Sequence, residues 1–290
     1  MQISALRRQF HSRLGRDIVR WSQKGNRRYP NFADGSSQSS VAIARRLCEI
    51  LAIPETDASL DSQTAGRRFE QITRDFLEQC FTLLSHIRPG HWVYLTAQCQ
   101  LSDFVQYSHL AHLKSLARQD RDLRTTLGLD YLFTPDIVIA RMPLSDAEMN
   151  GEANPPLVSS HETGEPNLTP LRASNQQGPV RSLLHAVISC KWTIRSDRSQ
   201  NIRAEAQTLI RNRKGHMPHI VAVVAEPLPT RIASLAYGTG DLDCVYHIAL
   251  PELRQACHDC GLEDQEELLD DLISAHRLRD ITDLPFDLAV

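Results

Sequence analysis

The stretch 183–205, LLHAVISCKWTIRSDRSQNIRAE, constrains the fold more than any other part of the chain. It opens with Leu183, Leu184, Val187 and Ile188, a short apolar run with β-branched members, which is the pattern of a strand buried on both faces. Such a strand, here 183–192, needs other strands beside it and helices over it. The chain offers both. Segments 91–97, 137–140, 219–225 and 244–250 read as further strands. Apolar residues recur at helical spacing over about 2–14, 64–86 and 199–212, and helices are also expected at 41–52, 102–118, 251–260 and 264–276. The alternation argues for an α/β core on a mixed sheet. With 290 residues, 41% of them hydrophobic, there is enough material for a large core, and a single domain over 1–290 is expected. Residues 142–182 lose periodicity and are rich in Pro, Asn, Gly, Glu and Ser, so they read as a long surface excursion, partly disordered.

Where the central strand ends, charge begins. Lys191 is followed by Arg195, Asp197, Arg198, Arg203 and Glu205, an arrangement that asks for a negatively charged partner. The net charge of −3 hides a strong asymmetry. Residues 1–30 hold eight bases against one acid, and residues 181–215 hold eight against two. From Asp259 onward there are ten acids and two bases. Two basic segments that meet phosphates, with an acidic face turned elsewhere, would account for this. The basic N-terminal helix, with Arg7, Arg8 and Arg13, is a candidate for phosphate contact.

No run of eighteen apolar residues exists, so no membrane span is expected. Seven cysteines without a secretory signal point to free thiols in a reducing, cytoplasmic setting. Cys257 and Cys260 form one CxxC with no second pair at zinc-ribbon spacing, which favours a plain helix over a metal site.

Asp136 stands between Pro135 and the apolar run 137–140. Proline cannot donate to a sheet ladder, so Asp136 belongs at the mouth of that strand. Hydrolysis of a phosphodiester needs an activated water, neutralisation of transition-state charge and help for the leaving oxygen. Carboxylates holding a divalent metal, with a lysine beside it, supply all three. Asp136, Lys191 and Glu205 could form such a set. Arg195, Asp197 and Arg198 have the chemistry to read bases, arginine against guanine and carboxylate against cytosine. Their other reading is a surface ion-pair cluster. Asp34-Gly35-Ser36-Ser37 reads as a tight turn near a helix cap, and Glu70 lies at the margin of an apolar helix face.

SCKWTIRSDRSQN (189–201), RNRKGHMPHIV (211–221) and GTGDLDCVYHIAL (238–250) closely resemble the NgoMIV family of restriction endonucleases. So do NFADGSS (31–37), HIRPGHW (86–92) and DITDLPFDLAV (280–290), and together they cover nearly the whole chain. The resemblance implies the PD-(E)xK restriction-endonuclease-like fold, in a variant whose acidic residue two before the lysine is displaced. Ser189 occupies that place here, and Glu205 the relocated one. It further implies that Asp136 bridges two Mg²⁺ ions, helped by Glu205 and the Cys190 carbonyl, with Glu70 near the second ion and Lys191 on the attacking water. Arg195, Asp197 and Arg198 would read a CCGG core. Asp34 and Arg231, with Ser36 in the same turn, would read the outer base pair, and Gln63 would touch the minor groove. The implied activity is Mg²⁺-dependent cleavage of double-stranded DNA at GCCGGC, after the first G, by a homotetramer of two dimers binding two sites. A cognate DNA methyltransferase in the host goes with it. The excursion through 144–180 departs from the family pattern, which leaves the metal and base-reading residues untouched.

Other readings are a DNA-binding protein of nuclease ancestry that no longer cuts, or the same enzyme with different flanks around CCGG. A serine or thiol hydrolase using Ser189, Cys190 or His185 lacks an oxyanion-hole glycine motif.

Overall fold

A computed structural model describes residues 2–96, 99–122, 125, 134–159, 168–176, 178–194, 196–238 and 240–290, without the side chains of Lys24 and residues 196–199. In chain order the first elements are α1 (Ile3–Asp17), β1 (Trp21–Lys24), β2 (Arg27–Pro30), α2 (Gln38–Ile50), α3 (Ser62–Leu83) and β3 (Trp92–Thr96). Then come α4 (His109–Gln119), β4 (Ile137–Arg141), α5 (Asp146–Asn150), β5 (Leu183–Lys191), α6 (Ser196–Asn212) and β6 (His219–Val224). The chain closes with α7 (Pro229–Ala236), β7 (Cys244–His247), α8 (Leu250–Asp259), α9 (Glu263–Ser274), β8 (Leu278–Asp280) and α10 (Leu284–Asp287).

Among the described residues, six strands form one mixed sheet in the order β3-β4-β5-β6-β7-β8. β3 pairs antiparallel with β4, while β6, β7 and β8 are mutually parallel. The α/β expectation holds, and so does the central strand. Residues 184–190 of β5 are all buried, as a strand covered on both faces must be. β4 is equally dry, with Ile137, Val138, Ile139 and Ala140 fully buried.

The chain groups into two compact units. One comprises Met1–Arg88, Ile188–Gln207 and His219–Val290, the other Pro89–Val187 and Thr208–Pro218. In the first, α1 packs on α3 through Phe10 and Phe76, whose ring centroids are 5.1 Å apart. Polar ties then lock α1 in place. The Arg7 guanidinium donates to both carboxylate oxygens of Glu252, each at 2.6 Å, and to Asp280 at 2.8 and 3.0 Å. Arg13 pairs with Asp75 at 2.8 Å. Arg7 and Arg13 therefore serve the fold rather than an external phosphate, while Arg8 stays exposed. Arg7→Ala would leave two partly buried carboxylates facing each other, and should cost about 3 kcal/mol of unfolding free energy in urea titration.

Two segments differ from their sequence reading. No strand is expected before residue 91, yet residues 21–30 form a hairpin, β1 and β2, closed by Gly25-Asn26 with Gly25 at φ 62°. The expected helix 102–118 begins as two 3₁₀ turns, Leu101–Asp103 and Val105–Tyr107, before α4. The reason lies in hydrogen bonding within the second unit. Val105 N–H donates to Ser182, and the Gln106 amide both donates to and accepts from the Leu184 backbone, at 2.7 and 3.0 Å. A regular helix could not satisfy the edge of β5 in this way.

The excursion 142–182 carries order of its own. Ser145 caps α5, and Arg172 forms a bidentate pair with Asp146 at 2.6 and 2.7 Å. Asn150 exchanges two hydrogen bonds with the Val158 backbone. Residues 160–167 and 177, where part of the expected disorder would fall, lie outside the described residues.

Candidate active site

Lys191 is the last residue of β5 and is half-buried. Its carbonyl accepts from Ala225 N–H at 3.1 Å, just past β6. The next residue, Trp192, fixes the strand end by packing edge-on against Phe69 of α3 and Phe32, at centroid distances of 5.2 and 5.6 Å. Its indole N–H reaches the Asn31 amide oxygen at 3.4 Å. A nearly buried tryptophan thus ties the strand that ends in Lys191 to two segments that carry expected site residues. Phe69 precedes Glu70, and Phe32 lies two before Asp34. Ser189 and Cys190 are both buried in β5.

Asp136 lies directly before β4, as the proline argument requires. Glu205 lies on α6, which begins at Ser196 rather than at the expected 199. It therefore sits nine residues into the helix, about two and a half turns. Ile202, Ala206 and Leu209 form the buried stripe of α6, and Glu205 flanks it. Glu70 flanks the buried face of α3 in the same way. Asp136, Glu205 and Glu70 are all half-buried. No group of three His, Cys, Asp or Glu side chains gathered as metal ligands occurs among the described residues. A cation that takes one or two carboxylates and keeps its waters does not require one. None of the seven cysteines is in a disulfide; Cys257 lies in the last turn of α8 and Cys260 is its C-cap.

The turn carrying Asp34 and Ser36 is held by its own polar groups. Asp34 Oδ1 accepts from Ser36 N–H at 2.9 Å, Ser40 Oγ accepts from Asp34 N–H at 2.9 Å, and Ser37 caps α2. At Gly35 the Tyr29 ring of β2 lies where a side chain would begin, so a larger residue there would have to displace that ring. Arg231, in the first turn of α7, is ion-paired with Asp34. A cation there opposes the helix dipole, so Asp34 supplies the charge that holds it. Ser36 and Gln63 are exposed, the latter in the first turn of α3. Arg195 lies outside the described residues. Asp197 and Arg198 are in the first turn of α6, their side chains undescribed. Arg203, part of the charge burst in the sequence, is turned inward. It donates to the carbonyls of Ser234, Leu235 and Tyr237 at the end of α7.

Sequence reasoning missed Glu226, which follows β6 and is completely buried. Its carboxylate accepts from Ile194 N–H at 2.9 Å and Leu228 N–H at 3.2 Å, with Arg231 Nη1 3.9 Å away. The available signal was an acid closing an apolar strand, VAVVAEP, at the end where α/β sheets place their sites. Burial pushes the Glu226 carboxyl up to about 7, against the pull of these hydrogen bonds and of Arg231. Its raised value means that the unfolded chain releases the proton first. Stability is then lost as pH rises from about 4.5 to about 7, on the order of 3 kcal/mol in all. Buried His247, pushed down to about 4 by desolvation, works the other way over part of that window, losing stability as pH falls below 6.5. The difference between wild type and Glu226→Gln isolates the carboxyl. In urea unfolding at pH 5 and 7.5, the glutamine variant should gain stability relative to wild type at the higher pH.

Arg27 and Arg45 lie close together. With Asn26, Gly35 and Ser36 they line a cleft of about 700 Å³ beside the Asp34 turn. The described helices include none long and apolar enough to cross a membrane.

The family described as NgoMIV restriction enzyme matches residues 10–290. The type II restriction enzyme NgoMIV of Neisseria gonorrhoeae is 43% identical over 98% of this chain and 97% of its own length. The mixed sheet with flanking helices is consistent with the restriction-endonuclease-like fold of that family. On that match the chain is a site-specific deoxyribonuclease, a member of the NgoMIV restriction enzyme family.

Proposed function

We propose that the chain, as one nuclease domain, hydrolyses double-stranded DNA at GCCGGC with Mg²⁺, cutting after the first G to leave 5′ overhangs with 5′-phosphate and 3′-hydroxyl ends. The observation that carries this reading is 43% identity to a type II restriction enzyme over almost the full length. The oxygen donors of Asp136, Glu205, Glu70 and the Cys190 carbonyl suit hard divalent cations, two per site, as thiolates or imidazoles would not. When bound, Mg²⁺ supplies electrostatic stabilisation of the transition state and lowers the pKa of water.

The protein's own groups do the rest. Asp136 and Glu205 hold the cations, and Glu70 supports the second. The Lys191 ammonium orients the attacking water and offsets charge on the scissile phosphate, with Ser189 on the same side of the strand by alternation. Arg195, Asp197 and Arg198 read the CCGG core, and Asp34 and Arg231 the outer pair. The ion pair between Asp34 and Arg231 supports this last assignment, since it sets a donor and an acceptor side by side before DNA arrives. Ser36 and Gln63 add contacts at the groove edges, and Arg27 and Arg45 offer charge to the backbone.

The enzyme assembles as a homotetramer that binds two sites and works in the cytoplasm. A methyltransferase of the same specificity protects host DNA.

Digestion of a sequenced plasmid tests the reading. Fragment sizes should match the spacing of GCCGGC sites with Mg²⁺ present and vanish with EDTA. Fragments bounded by other CCGG contexts would overturn the specificity.

A further inference from the structure

We propose that Glu226 is a positioning residue that couples recognition of the outer base pair to the core-reading segment. The inference rests on the assignment of Asp34 and Arg231 as outer-pair readers. It begins with Ile194, the last described residue before Arg195. Ile194 is buried, and its peptide groups on both sides are held by charged side chains. Its N–H donates to Glu226 Oε2 at 2.9 Å, and its carbonyl accepts from Arg231 Nη1 at 3.4 Å. Arg231 in turn pairs with Asp34 through Nη2. At the other end, Ala225, the neighbour of Glu226, donates its N–H to the Lys191 carbonyl.

Hydrogen bonds therefore link Asp34 through Arg231 and Ile194 to Glu226, and the adjacent Ala225 bonds the backbone of Lys191. Glu226 is the charged member with no solvent exposure. It also bonds Leu228 N–H, the cap position of the helix that presents Arg231. One side chain thus sets both the start of α7 and the peptide entering the Arg195–Arg198 segment.

A carboxyl group with this much burial opposes its own ionisation, and a purely structural role is better served by an amide. Glutamine keeps an acceptor for Ile194 or Leu228, but it removes the charge that faces Arg231. It should fold and yet hold Arg231 less firmly. Arg231 swinging even slightly would affect the outer pair first, because bidentate readout depends on a fixed fork.

The test is single-turnover cleavage of two short duplexes, one with GCCGGC and one with ACCGGT, by wild type, Glu226→Gln and Arg231→Ala, with thermal unfolding of each. Glu226→Gln should keep a melting temperature at or above that of wild type and lower the ratio of the two rates by about tenfold. Arg231→Ala should lower it further. If Arg231→Ala lowers the ratio and a folded Glu226→Gln leaves it at the wild-type value, the coupling is wrong while the outer-pair assignment stands. If Arg231→Ala leaves the ratio unchanged, the outer-pair assignment fails and the coupling with it. Should Glu226→Gln unfold, Glu226→Asp replaces it, and an unchanged ratio in that folded variant with a lowered ratio in Arg231→Ala again overturns the coupling.

Discussion

Lys191→Ala will bind GCCGGC duplexes like the wild type and cut them roughly 10³–10⁴-fold more slowly under single-turnover conditions. The expected size follows from what the ammonium does. It stands at the end of a buried strand whose position is set by Trp192 packing on Phe69 and Phe32 and by the bond from Ala225. Removing one aliphatic cation from that end leaves the packing and the base-reading segment in place. What is lost is an interaction that strengthens only as charge builds on the phosphate, so the rate falls and affinity does not. A different result separates the competing reading. If wild type and variant are equally inert with Mg²⁺ and bind equally well, the chain is a sequence-specific binding protein of nuclease ancestry.

Arg195→Ala is expected to weaken specific binding by about 1–3 kcal/mol and to relax discrimination at one base pair of the proposed core. Two features make this a large effect. An arginine fork satisfies two acceptors on guanine at once, and truncation leaves both unpaired in a desolvated groove. The preceding peptide, Ile194, is anchored on both sides, which fixes the backbone leading into this segment. Competition binding against duplexes altered at single core positions checks it. A uniform loss across all sequences, with no relaxation at any position, would mean that Arg195 contacts phosphate instead of a base.

Much of this was written in local sequence. The strand under Lys191 was legible because an unbroken apolar run with β-branched residues has few other fates, and Pro135 marked Asp136 as a strand mouth. The ion pair of Asp34 with Arg231 was not legible from spacing, since 197 residues separate them and a DGSS turn is common chemistry. Only the family resemblance joined them in advance. Glu226 escaped for a related reason. An acid before a proline reads as an exposed turn, and its complete burial depends on Ile194 and Leu228 arriving from elsewhere to bond it. Arg7 and Arg203 show the opposite failure. Both looked like charge for DNA, and both are used within the protein, one holding Glu252 and Asp280 and the other closing α7. Net charge along a chain says where cations are, not which way they face.

The central claim is that one chain both reads GCCGGC and cuts within it, with Asp136, Lys191 and Glu205 proposed for the cutting. Sequencing the fragment ends after a complete Mg²⁺ digest tests it most directly. The claim predicts that every 5′ end begins CCGGC, with G immediately upstream in the intact plasmid. Ends at other positions, or inside CCGG sites with different flanks, would contradict it.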